Sequence, residues 1–146
     1  MASVKVNGVD LYYEETGSGR PLVFLHEFAG DMRAWEPQVR YFARRYRVIT
    51  FNYRGYPPSS VPAAEAAYDH DTLIEDLRQL MGALAIPAAH LVGLATGGNL
   101  ALNAAIQHPH LVKGLVVAGA GAGSVDRANW LAGARRFADD IEAKGT

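Results

Sequence analysis

His90-Leu91-Val92-Gly93-Leu94-Ala95-Thr96-Gly97-Gly98-Asn99-Leu100 is the stretch that decides the fold. An apolar run meets an Ala-rich helical run (98–107) through a turn of small residues at Gly93, Ala95, Gly97 and Gly98. Three devices use small residues there. A phosphate-cradling loop carries Lys and then Ser or Thr after its last Gly, but Asn99 and Leu100 follow here. A dinucleotide turn needs Gly where Ala95 adds a methyl, and an acid about 20 positions on. Residues 115–121 hold no acid, so that match is the weaker one. A nucleophile elbow, G-x-S-x-G, needs glycines two before and two after the reactive residue to relieve crowding at a strained turn. Gly93 and Gly97 hold those places, and Ala95 stands where the nucleophile belongs.

Upstream, residues 21–26 (PLVFLH) and 46–52 (YRVITFN) are continuously apolar in the manner of strands covered on both faces, as are 90–95 and 114–118. Residues 4–6 and 11–15 flank Asn7-Gly8, a tight-turn signal, and predict a hairpin. Leu73, Leu77, Leu80 and Leu84 make one helical stripe stopped by Pro87. Trp130, Ala134, Phe137 and Ile141 make another, with Asp126 as its expected cap and Gly145 as its stop. Strands alternating with helices predict an α/β fold with a doubly wound, mostly parallel sheet behind an antiparallel hairpin.

With 49% hydrophobic and 20% charged residues, 146 residues suffice for one core without staples. A net charge of −1 argues against nucleic acid or an anionic membrane as partner. Arg40, Arg44, Arg45 and Arg47 read as a solvated face. There are no cysteines, which excludes disulfides, thiolate zinc sites and cysteine nucleophiles. Without a signal pattern or a long apolar span, a cytoplasmic location is expected.

Four places resemble the N-terminal part of the α/β-hydrolase family. Leu25-His26-Glu27-Phe28-Ala29-Gly30-Asp31, followed by Trp35, is similar to the family's His-Gly-x segment. Asn52-Tyr53-Arg54-Gly55-Tyr56-Pro57-Pro58-Ser59 is similar to its D-x-R-G-x-G-x-S loop. The elbow is the third place, and His108-Pro109 before the next strand is the fourth. The resemblance implies a cofactor-free hydrolase of small ester- or lactone-type carbonyl compounds, with no metal. The backbone N–H groups of Phe28 and Thr96 would form the oxyanion hole, Ala95 would occupy the nucleophile's place, and Glu27, Trp35 and Tyr56 would contact substrate. His26 would brace the oxyanion loop.

Three departures bear on activity. Glu27 replaces a Gly, so either its backbone must fit without glycine's freedom or the chain belongs to a branch built around His-Glu-Phe. Asn52 replaces an Asp whose carboxylate would pair near Arg54. Ala95 replaces the nucleophile, as an introduced change or a natural loss, so the chain as written is expected to be inactive. The alternative is a non-catalytic ligand-binding or interaction module. Residues 1–123 are expected to form the hydrolase core and 124–146 the start of a cap helix region. The family's later strands, with the catalytic acid and histidine, are not in this sequence. The strand at 114–118 is therefore expected to need the C-terminal half of the same enzyme, or self-association, along its edge.

Overall fold

The computed structural model describes residues 2–121 and 127–145. Chain order is β1 (Ala2–Val6), β2 (Val9–Thr16), β3 (Arg20–Leu25), α1 (Glu36–Phe42), β4 (Tyr46–Phe51), α2 (His70–Ala83), β5 (Ala89–Leu94), α3 (Thr96–Gln107), β6 (Val112–Ala118) and α4 (Arg127–Lys144). One six-stranded sheet runs β1-β2-β4-β3-β5-β6. Both pairs made by β2 are antiparallel, and every other pair is parallel. Val6 pairs with Val9 across Asn7 and Gly8, whose φ values of 46° and 80° give the doubly left-handed turn that matches strand twist.

The winding places the helices. From β3 the chain steps outward through α1 to β4, then back past β3 through α2 to β5 and onward through α3 to β6. Right-handed crossovers therefore put α1 on one face and α2 and α3 on the other. The core agrees. Val23, Leu25, Ile49, Phe51 and Leu91 pack with α2 and α3, while Leu22, Phe24 and Val48 pack with α1. The direction of winding reverses between β3 and β5, so a crevice opens beyond their carboxyl ends. The loop after β3 and the turn after β5 face each other there.

One sequence expectation needs correction. The Ala-rich helix begins at Thr96, directly after Ala95, rather than at residue 98. The stripe of Trp130 and Phe137 lies on α4 as expected, with both side chains 61% exposed. Gly145 does stop that helix, at φ 75° with its N–H bonded to the Ile141 carbonyl at 2.8 Å. Asp126 lies outside the described residues. Among the described residues, no helix is long and apolar enough to cross a membrane.

Candidate active site

Ala95 joins β5 to α3 with φ 49° and ψ −113°, a backbone that L-residues rarely adopt. Its N–H bonds the Ala118 carbonyl at 2.9 Å and its carbonyl accepts from Asn99 N–H at 3.0 Å. Both flanking glycines are obligatory for steric reasons. A Cβ at Gly93 would lie 2.5 Å from the Gly98 nitrogen, and one at Gly97 would lie 2.5 Å from the Leu25 carbonyl carbon. The turn is therefore pressed against β3 by main chain alone, and the first turn of α3 aims at the crevice.

The loop after β3 is held by His26, which is fully buried. Its Nδ1 lies 2.7 Å from the Glu27 carbonyl oxygen, and its ring stacks on Tyr53 at 3.9 Å. Tyr53 N–H approaches Nε2 at 3.5 Å. One neutral tautomer satisfies both contacts, with Nδ1 donating and Nε2 accepting. Burial lowers the His26 pKa against smaller raising effects from Glu27, which keeps the ring neutral. Tyr53 donates to the His26 carbonyl at 2.9 Å, and Tyr56 donates to the Phe28 carbonyl at 2.8 Å. Burial raises both tyrosine hydroxyl pKa values, with the Glu27 carboxylate adding to the rise. His26 is thus a brace, as the sequence suggests, and is no free base.

Phe28 and Thr96 border one cavity of about 620 Å³, together with Tyr53, Tyr56, Tyr68 and His70. Neither the Phe28 N–H nor the Thr96 N–H has a hydrogen-bond acceptor among the described residues. Of the side chains expected to contact substrate, Tyr56 is in this wall. Trp35 and Glu27 are not in it. Trp35 stacks on Phe24 at 4.7 Å, in the core under α1. The Glu27 carboxylate turns onto Gly30, where a Cβ would collide with it. Glu27 is not among the residues of positive φ, so it needs none of the freedom of the glycine it replaces.

Asn52, which lacks the carboxylate, makes two bonds across the crevice instead. Its Oδ1 accepts from Met32 N–H at 2.9 Å and its Nδ2 donates to the Pro57 carbonyl at 2.8 Å, tying the two loops at the crevice together. A carboxylate could not make the second bond. Arg54 finds its acid elsewhere, in a buried two-pronged pair with Asp76 of α2 at 2.6 Å on each side. Tyr68 and His70 were missed as wall residues. Their only sequence signal was proximity to a helix start, and the sheet's winding decides which loop that start adjoins.

A model of the alpha/beta hydrolase fold matches residues 20–141. Epoxide hydrolase 4 of Mus musculus is 33% identical over 116 residues, which cover 78% of this chain and 32% of that protein. Epoxide hydrolase 3 of Mus musculus is 35% identical over 117 residues, covering 79% and 32%. A hydrolase from Pseudomonas aeruginosa PA01 superposes with a TM-score of 0.86 at 27% identity, over 98% of this chain and 53% of that one. A meta-cleavage product hydrolase from Pseudomonas fluorescens IP01, solved as a serine-to-alanine mutant with acetates, gives 0.80 at 29% identity over 86% and 47%. The chain thus spans about a third of the length of these curated relatives and about half that of these solved chains. Domain match, sequence identity and sheet topology agree: this chain belongs to the α/β-hydrolase fold family.

Proposed function

We propose that this chain carries the nucleophile elbow and oxyanion hole of a cofactor-free hydrolase acting on small ester- or lactone-type carbonyl compounds. The observation that carries this reading is Ala95 at φ 49° between two glycines that admit no Cβ. A fold bears such strain where the residue must project into a site. With serine at position 95, the hydroxyl would lose its proton to a histidine supplied from outside this sequence and attack the carbonyl carbon. The Phe28 and Thr96 N–H groups would hold the oxyanion, the leaving group would depart with the proton, and water would release the acyl group. The methyl of Ala95 has no lone pair, so the chain as written binds without covalent turnover.

Ala95 itself favours a second reading, a ligand-binding module on the same scaffold. Ala95→Ser in a full-length chain, treated with a fluorophosphonate probe, separates the two. Labelling supports the hydrolase, and a folded, unlabelled protein supports the module. The epoxide hydrolase relatives add an epoxide as candidate electrophile, for which Ala95→Asp is the matching restoration.

Residues 124–146 would begin the cap over this cavity, and the cytoplasm would be its compartment. The strand β6 ends the sheet with Val116 56% exposed, and its free edge suits a further strand from the C-terminal half of the same enzyme or from a second copy. Light scattering tests this: a stable 15.8 kDa monomer without partner would refute it.

A further inference from the structure

We infer that the cavity beside Ala95 takes a carbonyl compound bearing a flat aromatic ring, and that Tyr68 sets this preference. The inference deepens the hydrolase reading, because it assigns a substrate class to the same cavity.

Four aromatic side chains border that cavity: Phe28, Tyr53, Tyr56 and Tyr68. The one hydrogen each tyrosine hydroxyl can donate is already committed to main chain. Tyr53 donates to the His26 carbonyl, Tyr56 to that of Phe28, and Tyr68 to that of Pro62 at 2.6 Å. Arg54 also reaches the wall, and four of its five N–H groups are taken by Asp76 and by the Ala67 and Asn7 carbonyls. The three tyrosines therefore offer a ligand ring surface and no free hydroxyl donor. Unengaged main-chain donors of the wall include the N–H groups of Phe28 and Thr96, and His70 stands exposed at the rim. A ligand with an acceptor end directed at Phe28 and Thr96 and an apolar remainder suits this wall.

The rings are also fixed in advance, which favours a flat remainder over a flexible one. Tyr53 is pinned by its stack on His26, and Tyr56 by its hydroxyl tether and an edge contact with the same imidazole at 4.7 Å. Tyr68 is pinned at both ends, because its ring lies so close to Gly55 that a Cβ there would sit 2.7 Å from Cε1. Rings held at set angles gain from edge-to-face or offset contact with another ring, which an aliphatic group of equal size cannot return. The cavity volume is in the range of sites for small organic ligands.

The test uses the chain as it stands, with Ala95 preventing turnover. Phenylacetate and cyclohexylacetate share charge and carbon count and differ in the flat ring. Titrating each while following the Phe28 and Thr96 amide resonances should show phenylacetate binding about two- to tenfold tighter. Tyr68→Leu should bring the ratio towards one, whereas Tyr68→Phe should keep it. If Tyr68→Leu does not fold, Tyr68→Met takes its place and is read in the same way. Equal binding of the two acids, binding of neither, or an unchanged ratio in the folded leucine variant would overturn the inference. Probe labelling of Ala95→Ser is a separate readout. Labelling without aryl preference keeps the hydrolase and removes the substrate class, and aryl preference without labelling does the reverse.

Discussion

His26 grips the main chain of Glu27: its Nδ1 lies 2.7 Å from the carbonyl oxygen of the peptide group whose N–H belongs to Phe28. One rigid trans amide plane thus has its oxygen bound to a buried ring and its hydrogen on the side away from that ring. The direction of that N–H is fixed by a fully buried residue.

Stability should therefore depend on His26 in a pH-dependent way. Burial holds the folded-state pKa below the ordinary value of about 6.5, so the unfolded chain binds the proton more readily. The His26 contribution is fully present above about pH 6.5 and is lost as pH falls towards the folded pKa. Urea midpoints measured from pH 7.5 to 5.5 should fall, and more steeply than in a His26→Leu variant. Parallel profiles would remove His26 as the cause.

The glycine flanks make an internal contrast. Gly97→Ala forces a Cβ onto the Leu25 carbonyl and should cost about 3 kcal/mol. Gly82→Ala in α2 meets nothing within 4 Å and should gain about 0.5–1 kcal/mol through helix propensity. Equal effects in chemical denaturation would contradict the close approach of α3 to β3.

Ala95→Gly should stabilise the fold by about 0.5–1 kcal/mol, since glycine adopts positive φ freely while adding some entropy to the unfolded chain. A loss of stability would mean that the Ala95 methyl is packed rather than strained.

The Arg54–Asp76 pair is 5% and 2% exposed. Removing one partner leaves the other charge buried, so Asp76→Ala should cost about 3–5 kcal/mol. Arg54→Met with Asp76→Leu should recover most of that, because the pair as a whole must offset its own desolvation. A double-mutant cycle reads the coupling directly.

Much of the fold was legible because its signals are local. The Asn7-Gly8 turn, the apolar runs at 21–26 and 46–52, and the Leu77–Leu80 stripe each announce an element through periodicity or turn chemistry. Gly93 and Gly97 announced the strained turn at Ala95 because backbone crowding excludes every other residue there. The oxyanion role proposed for Phe28 comes only from resemblance to a family, since main-chain donors leave little trace in side-chain identity.

Side-chain roles at the cavity depended on distant neighbours. Trp35 and Tyr56 look alike in sequence, yet one stacks on Phe24 under α1 and the other tethers the Phe28 carbonyl. Arg54 meets Asp76 22 residues away, and Asn52 ties together loops on two strands. The sequence by itself determined the elements, their alternation and the strained turn at Ala95, because these follow from local sterics and burial period. Only the tertiary structure decided which aromatic rings face the cavity, which carboxylate answers Arg54 and which hydroxyls are already engaged. Those outcomes turn on where the reversal between β3 and β5 brings separate loops together.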